Sequence, residues 1–360
     1  MGIYISDIIP IIIAFQSMLF ALVLLTDNGP KKISNRYLAA FILVMGVQFT
    51  AITSESLGLK VHFLTSVQCV YGFAYGPLLY LYTKSLIYKQ FYFHIKQLLH
   101  FIPILIFLLF SLPGYALCGT IGPLIYVSLI VYIALAIRAI VNYRKVMTDT
   151  QSSMARTDLI WLQWTMILFC ISLLLDMVDQ FIRSMDLLAN VSTIHLSILL
   201  LINWMFYKGL KQPEIFLGIS ESDEQLVQDK LPVADGELPD DSEQADLDRI
   251  KAFMETHDVY TRAELNLNEL AEYIGMPPRR LSYLINHFLR QNFMGFVNQY
   301  RIQKAMDRLS HPKEKGETIL EVMYEVGFNS KSSFNTLFKQ HTGFTPTEFK
   351  KQQLKYKASR

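Results

Sequence analysis

Acidic, amide and imidazole side chains sit inside stretches of this chain that are otherwise apolar, where they act only by pairing or by binding a polar guest. Asp176 and Asp179 lie three residues apart, on one face if helical, with Arg183 one turn further on. Glu55 closes another apolar stretch, and Gln48, Gln68, His195 and Asn203 lie deeper within theirs. Ionisable groups at membrane depth are costly and tend to face a bundle interior. Glu55, Asp176, Asp179 and His195 are therefore candidates for an outward-facing pocket that takes a small cationic or polar signal. The other reading has the three carboxylates simply reaching the outer headgroup layer.

Catalytic chemistry finds no constellation. No HExxH pair, GxSxG turn or GxxxxGK[ST] loop occurs. Asp176 and Asp179 are too close on one helix to form an intramembrane protease pair. Cys69, Cys118 and Cys170 are odd in number and unpaired in spacing, which argues against a disulfide framework or a zinc site. No catalytic residue, metal or cofactor is expected, and the chain reads as a non-enzyme.

The elements that carry these groups are long apolar runs. The chain of 360 residues is 52% hydrophobic and 18% charged, against about 25% charged in soluble proteins. Seven stretches approach the roughly 17–25 residues that span a bilayer, at about 8–25, 37–53, 62–82, 98–112, 123–140, 159–177 and 191–207. The fourth is the weakest, being short with His100 and Pro103 near its start. Gly72, Gly76 and Pro77 in the third permit close helix approach or a kink. The first lacks a positive n-region and a small-residue cleavage site, so it reads as a retained helix. The seventh contains no Lys, which excludes a retinal Schiff base there.

Positive charge orients the set. Lys31, Lys32, Arg36, Lys84, Lys89, Lys96, Arg138, Arg144, Lys145, Arg156, Lys208 and Lys211 fall on one side, and only Lys60 and Arg183 on the other. This positive-inside asymmetry puts the N-terminus outside and everything after Tyr207 in the cytoplasm.

The net charge of +2 conceals three regimes. Residues 1–217 carry 14 basic and 9 acidic side chains, 218–249 carry 2 and 11, and 250–360 carry 17 and 11. The acidic middle, broken by Pro232 and Pro239, has no apolar period and reads as a flexible tether.

Beyond it the apolar period is that of short amphipathic helices. Asn268 is placed to cap a helix ending at Ile274, Gly275 turns the chain, and a second helix covers 279–288. Helix, Gly-containing turn, helix is the helix-turn-helix pattern. It recurs 52 residues on, where Val326-Gly327-Phe328 repeats Ile274-Gly275-Met276. A long amphipathic helix over 293–309 lies between the two. Two such units on one strut can enter successive major-groove faces of one DNA site.

The stretches FVNQYRIQKAMDRL (296–309) and ILEVMYEVGFNSKSSFNTLFKQHTGFTPTEF (319–349) resemble the DNA-binding domain of AraC/XylS-type transcription regulators. The VGF-x-S-x-S-x-F…FK…TG-x-TP spacing carries the likeness, which covers about 246–352. Without the sugar-binding cupin of many relatives, the chain resembles the membrane-embedded subset of that family. The resemblance implies base reading by the second helix of each unit: Arg279, Ser282 and Tyr283 in the first, Lys331, Ser332, Asn335 and Thr336 in the second. Arg or Lys suits guanine, Asn suits adenine, and Ser or Thr suits either. Arg280, Arg301 and Lys339 are phosphate candidates, although an ion pair inside the domain explains Arg301 equally well. Three positions depart from the family pattern: Pro277 for a common Ser cap, Arg290 for a common Gly, and Thr336 for a frequent Arg.

The expected architecture is all-α. A seven-transmembrane-helix bundle (1–217) leads through an acidic linker (218–245) to a double helix-turn-helix domain (246–352) and a basic tail (353–360). The expected function is a bacterial inner-membrane transcription regulator that senses a small-molecule or envelope signal. Its expected partners are promoter DNA, membrane lipid, RNA polymerase and a second copy in a homodimer. The alternative is a transporter-like or enzymatic membrane protein with an appended regulatory domain.

Overall fold

In a computed structural model the described residues are 5–27, 29, 31–58, 70–111, 118–153, 159–183, 193–211, 218–228, 238–313 and 316–358. They are helical, and no named strand occurs among them. They divide into two compact units, Met1–Asn142 with Leu159–Gly218, and Tyr143–Asp158 with Ile219–Arg360.

The first unit contains α1 (Ile5–Thr26), α2 (Lys32–Ser56), α3 (Gly72–Ile87), α4 (Ile102–Ser111), α5 (Cys118–Thr150, whose last turns belong to the second unit), α6 (Ile160–Arg183) and α7 (Thr193–Lys211). Each of the seven apolar stretches overlaps one of them. Among the described residues, however, only Ile8–Thr26, Lys32–Glu55 and Gly122–Thr150 are long and apolar enough to cross a membrane. The expectation of seven is thus corrected to three. The fourth stretch breaks for a local reason. It opens as a 3-10 turn over Ile95–Phe101, and only the ten residues of α4 follow, about 15 Å of helix. The third begins at Gly72, ten residues later than expected, and residues 59–69 lie outside the described set. In α6 the apolar part ends at Leu175, and α7 carries Lys208 and Lys211 in its last turn.

Within this unit α1 packs on α2 and α7, α2 on α3, and α6 on α7. Two of the deep polar groups are accounted for by pairing. Gln16 Nε2 donates to Asn203 Oδ1 at 2.7 Å, and Asn203 Nδ2 returns the bond at 3.2 Å. Gln48 accepts from the Tyr75 hydroxyl. Gly76 is needed for close approach, since a Cβ there would lie 2.8 Å from the Tyr132 ring. Large apolar side chains nevertheless face outward, among them Phe15 (71% exposed), Leu109 (67%) and Leu200 (63%).

In the second unit, α8 (Glu221–Gln228) lies inside the stretch read as a tether. Its sequence is acidic but amphipathic, and Leu226 packs against the first core described below. Next come α9 (Asp241–Thr256), a 3-10 turn (Asp258–Thr261), α10 (Leu267–Ile274), α11 (Pro278–His287), α12 (Phe293–Ser310), α13 (Ile319–Glu325), α14 (Lys331–Thr342) and α15 (Pro346–Ala358). Asp240 and Glu243 form a reciprocal capping box that starts α9. The cap of α10 is Asn266, whose Oδ1 accepts from Glu269 N–H at 3.0 Å, so Asn268 falls inside the helix.

Two apolar cores result, one for each helix pair. Leu270, Leu281 and Ile285 lie in the first, with Phe293, Phe296 and Val297 from the start of α12. Val322, Phe334 and Phe338 lie in the second, with Ile302, Ala305 and Leu309 from the end of α12. One helix thereby serves both cores. Burying that many aliphatic and aromatic side chains, at roughly 1.5–3 kcal/mol each, makes α12 the mechanical link between the pairs.

Candidate nucleic-acid interface

The first helix pair is α10 and α11. Pro277 is the N-cap of α11 and makes no side-chain bond, and Pro278 starts the helix at a position that needs no N–H. Arg279 is exposed at that end, and Tyr283 is half-buried one turn on, stacked on His287 with ring centroids 5.0 Å apart. One expectation fails on this helix, and a second residue is engaged elsewhere. Ser282 is 5% exposed, because it sits on the flank of α11 turned towards the core. Arg280 is held by carboxylates: its Nε donates to Asp246 Oδ2 at 3.0 Å and its Nη1 lies 3.6 Å from Glu243. Its charge is spent on α9, which weakens the case for a phosphate contact.

The second pair is α13 and α14. Thr318 and Glu321 form a capping box, with Thr318 N–H donating to Glu321 Oε2 at 2.7 Å and holding that carboxyl below its usual range. Ser330 caps α14 by accepting from Ser333 N–H at 3.3 Å. Lys331, Ser332, Thr336 and Lys339 are exposed on α14, and Asn335 is half-buried among them. Phe334 and Phe338 face the core from the opposite side. This helix brings together cationic, hydroxyl and amide groups suited to base edges and phosphates. The Gly327 turn cannot carry a side chain. Its φ is +94°, and a Cβ would lie 2.6 Å from the Thr261 carbonyl oxygen.

Arg301 is the largest correction. It is 0% exposed, so it contacts no phosphate. Its Nε donates to Tyr260 O at 2.6 Å and its Nη2 to Arg262 O at 2.7 Å. Its Nη1 donates to Asn298 Oδ1 at 3.2 Å and Ser152 O at 3.1 Å, and Nη2 also reaches Ser152 Oγ at 3.0 Å. Burial pulls its pKa down to about 10, leaving the guanidinium protonated at neutral pH. The alternative reading named an ion pair, whereas the observed partners are carbonyl and hydroxyl oxygens.

The proposed signal pocket is not assembled by the described side chains. Glu55 is exposed at the end of α2, and His195 packs edge-on to Phe49 with ring centroids 5.4 Å apart. The side chains of Asp176 and Asp179 lie outside the described residues, as does Gln68. A small apolar cavity lined by Phe41, Met45, Leu79, Met166 and Phe169 involves none of the four candidates. Cys170 has a free thiol, and no cluster of metal-ligating side chains occurs among the described residues.

Sequence reasoning missed two residues. Asn286 shares the outer face of α11 with Arg279 and Tyr283, at the seven-residue spacing that could have identified it. Ser152, more than a hundred residues from its partner Arg301, gave no local signal.

Residues 270–352 match the helix-turn-helix domain family. The HTH-type transcriptional regulator YdeC of Bacillus subtilis strain 168 is 30% identical over 112 residues, 31% of this chain and 38% of that relative. HTH-type transcriptional regulators of Staphylococcus aureus strains MSSA476 and COL are 30% identical over 103 residues, 29% of this chain and 13% of each relative. The chain thus spans well under half the length of these curated relatives. No solved structure matches it significantly. Residues 270–352 are a helix-turn-helix DNA-binding domain of the AraC type.

Proposed function

We propose that this protein is a membrane-bound, sequence-specific transcription regulator whose paired helix-turn-helix units read one DNA site. The observation that carries the reading is α12, a single helix packed into both cores, with Lys331, Ser332, Asn335 and Thr336 displayed on α14 beside it. Arg279 and Tyr283 serve the first half-site, and Lys339 positions the second on phosphate. Promoter duplex is the partner, with RNA polymerase and a second copy of the chain as proposed co-partners.

Membrane attachment is supported by the three long apolar helices and by the outward-facing Phe15, Leu109 and Leu200, which water does not favour. The distribution of Lys and Arg supports an outside N-terminus and a cytoplasmic domain over 246–352. We retain a membrane-embedded helical region over 1–217, the linker over 218–245 and a sensory role for that region as parts of this proposal.

The test uses full-length protein in lipid nanodiscs. Genomic duplexes offered at low ionic strength should be retained selectively, with affinity falling steeply as salt rises. Retention no better than that of scrambled competitor would refute the reading. A reporter fused after Arg360 that reports an external location would refute the topology. For sensing, Asp176→Asn with Asp179→Asn should alter signal-dependent promoter output, and unchanged output would remove those carboxylates from it.

A further inference from the structure

Residues Tyr143–Asp158 belong to the same compact unit as the DNA-binding domain, although more than sixty residues of sequence intervene. They follow directly on the apolar stretch of α5, a helix of 33 residues and about 50 Å, longer than the roughly 30 Å of hydrocarbon it would cross. The last residues of this helix and the chain just past it are sequestered. Asp149 is 4% exposed, Thr150 1%, Gln151 8% and Ser152 1%.

The contacts reach both helix pairs and the strut between them. Gln151 forms an antiparallel bridge with Asn266, the N-cap of α10, and Ser152 N–H donates to Leu265 O at 3.1 Å. The carbonyl and hydroxyl oxygens of Ser152 both accept from Arg301 on α12. Ser153 Oγ donates to Asn329 Oδ1 at 3.0 Å, one residue before the cap of α14. Three successive residues thus join the first helix pair, the strut and the second pair. A buried guanidinium stripped of two acceptors is strongly disfavoured, so the strut is satisfied only while Ser152 is in place.

We propose that Gln151–Ser153 is a regulatory clasp of the DNA-binding domain. When engaged it holds the two helix-turn-helix units in the register that DNA requires. The sensory half regulates promoter binding by withdrawing it. Rigid pairing of the two units lowers the ordering cost of binding both at once, so the engaged state is the high-affinity state. The proposal rests on the DNA-binding function given above and adds how that function is controlled.

The experiment uses full-length protein in nanodiscs with Cys69, Cys118 and Cys170 replaced by Ala. Ser153→Cys with Asn329→Cys are joined by a short thiol-bridging reagent. Bridging should go nearly to completion without DNA, and the bridged form should bind a selected duplex at least as tightly as the unbridged form. Ser152→Ala, a milder change, should weaken duplex binding roughly tenfold while the protein stays folded. Failure to bridge in a protein that still binds DNA would overturn the clasp alone. Bridging that weakens binding tenfold would also overturn it, since the segment would then block the site. Efficient bridging with no duplex retained in either form would overturn the DNA-binding reading, and the control mechanism with it.

Discussion

Arg301 Nε donates to the carbonyl oxygen of Tyr260 at 2.6 Å, tying the middle of the strut helix α12 to the 3-10 turn at Asp258–Thr261. The same turn lies against Gly327, where a Cβ would lie 2.8 Å from the Thr261 carbonyl carbon. A segment next to the first helix pair is therefore wedged against the turn of the second, and Arg301 sits at the junction. The guanidinium is a structural cation, and its plane of five donors suits a site made of carbonyl oxygens.

Arg301→Ala should destabilise the cytoplasmic domain by at least about 1–3 kcal/mol, because it leaves several buried neutral acceptors unpaired. Arg301→Lys should rescue little, since an ammonium cannot serve a fork of acceptors. Thermal unfolding of both variants checks this. For the fraction that stays folded, the salt slope of DNA binding should match wild type. A slope lower by about 1 would make Arg301 a phosphate contact after all.

The two readers should respond differently to alanine substitution. Lys331→Ala and Asn335→Ala should each cost about 1–3 kcal/mol at one base position and relax preference there. Lys339→Ala should weaken all duplexes alike and lower the salt slope by about 1. Arg280→Ala should leave sequence preference unchanged and lower stability, because its partners are Asp246 and Glu243. Selection from a randomised duplex pool separates the outcomes.

How far the fold could be read from sequence depended on the range of the cause. The helix pairs, their 52-residue repeat and the shared strut were legible because apolar spacing and caps act within one turn. Phe334 and Phe338, four residues apart as a helical core face requires, lie in the second core. Arg301 could not be settled, because its partners at Ser152, Tyr260 and Arg262 come from distant parts of the chain. The partners of Arg280 were hidden for a related reason, since its carboxylates lie in α9, 34 residues upstream at Asp246. Each apolar stretch overlaps a helix, but hydropathy does not register where a helix begins, so it overcounted the helices long enough to cross a membrane and missed the 3-10 break before Pro103.

Arg290 stands where the resemblance implies Gly, and its φ is +51°. The left-handed region costs a residue with a Cβ about 1–2 kcal/mol, offset in part by the greater freedom glycine loses on folding. Arg290→Gly should therefore raise stability by about 0.5–1 kcal/mol. Arg290→Val should lower it, since a β-branched residue fits that conformation worst. Both follow from melting temperature alone. If DNA binding also falls in Arg290→Gly while stability rises, the side chain has been kept for contact with the duplex.

Acid should loosen the second unit in part through two ion-paired carboxylates, beside the capping carboxylates Glu321 and Glu348, which are also held below their usual range. Lys304 beside Asp258, helped by the Tyr260 hydroxyl at 2.8 Å, holds that carboxyl below its ordinary 3.8. Lys313 and then Arg308 do the same for Glu325, below its ordinary 4.5. A carboxyl whose pKa is depressed on folding contributes stability that is fully present above its unfolded value and lost as pH falls through the folded one. Stability should be flat above about pH 5 and decline from about pH 4.5 downward, as the unfolded chain takes up protons first. Asp258→Asn with Glu325→Gln should flatten that decline while lowering stability at pH 7. Melting temperature measured from pH 3 to 7 reads both effects, and a decline of equal steepness in the double variant would place its origin elsewhere.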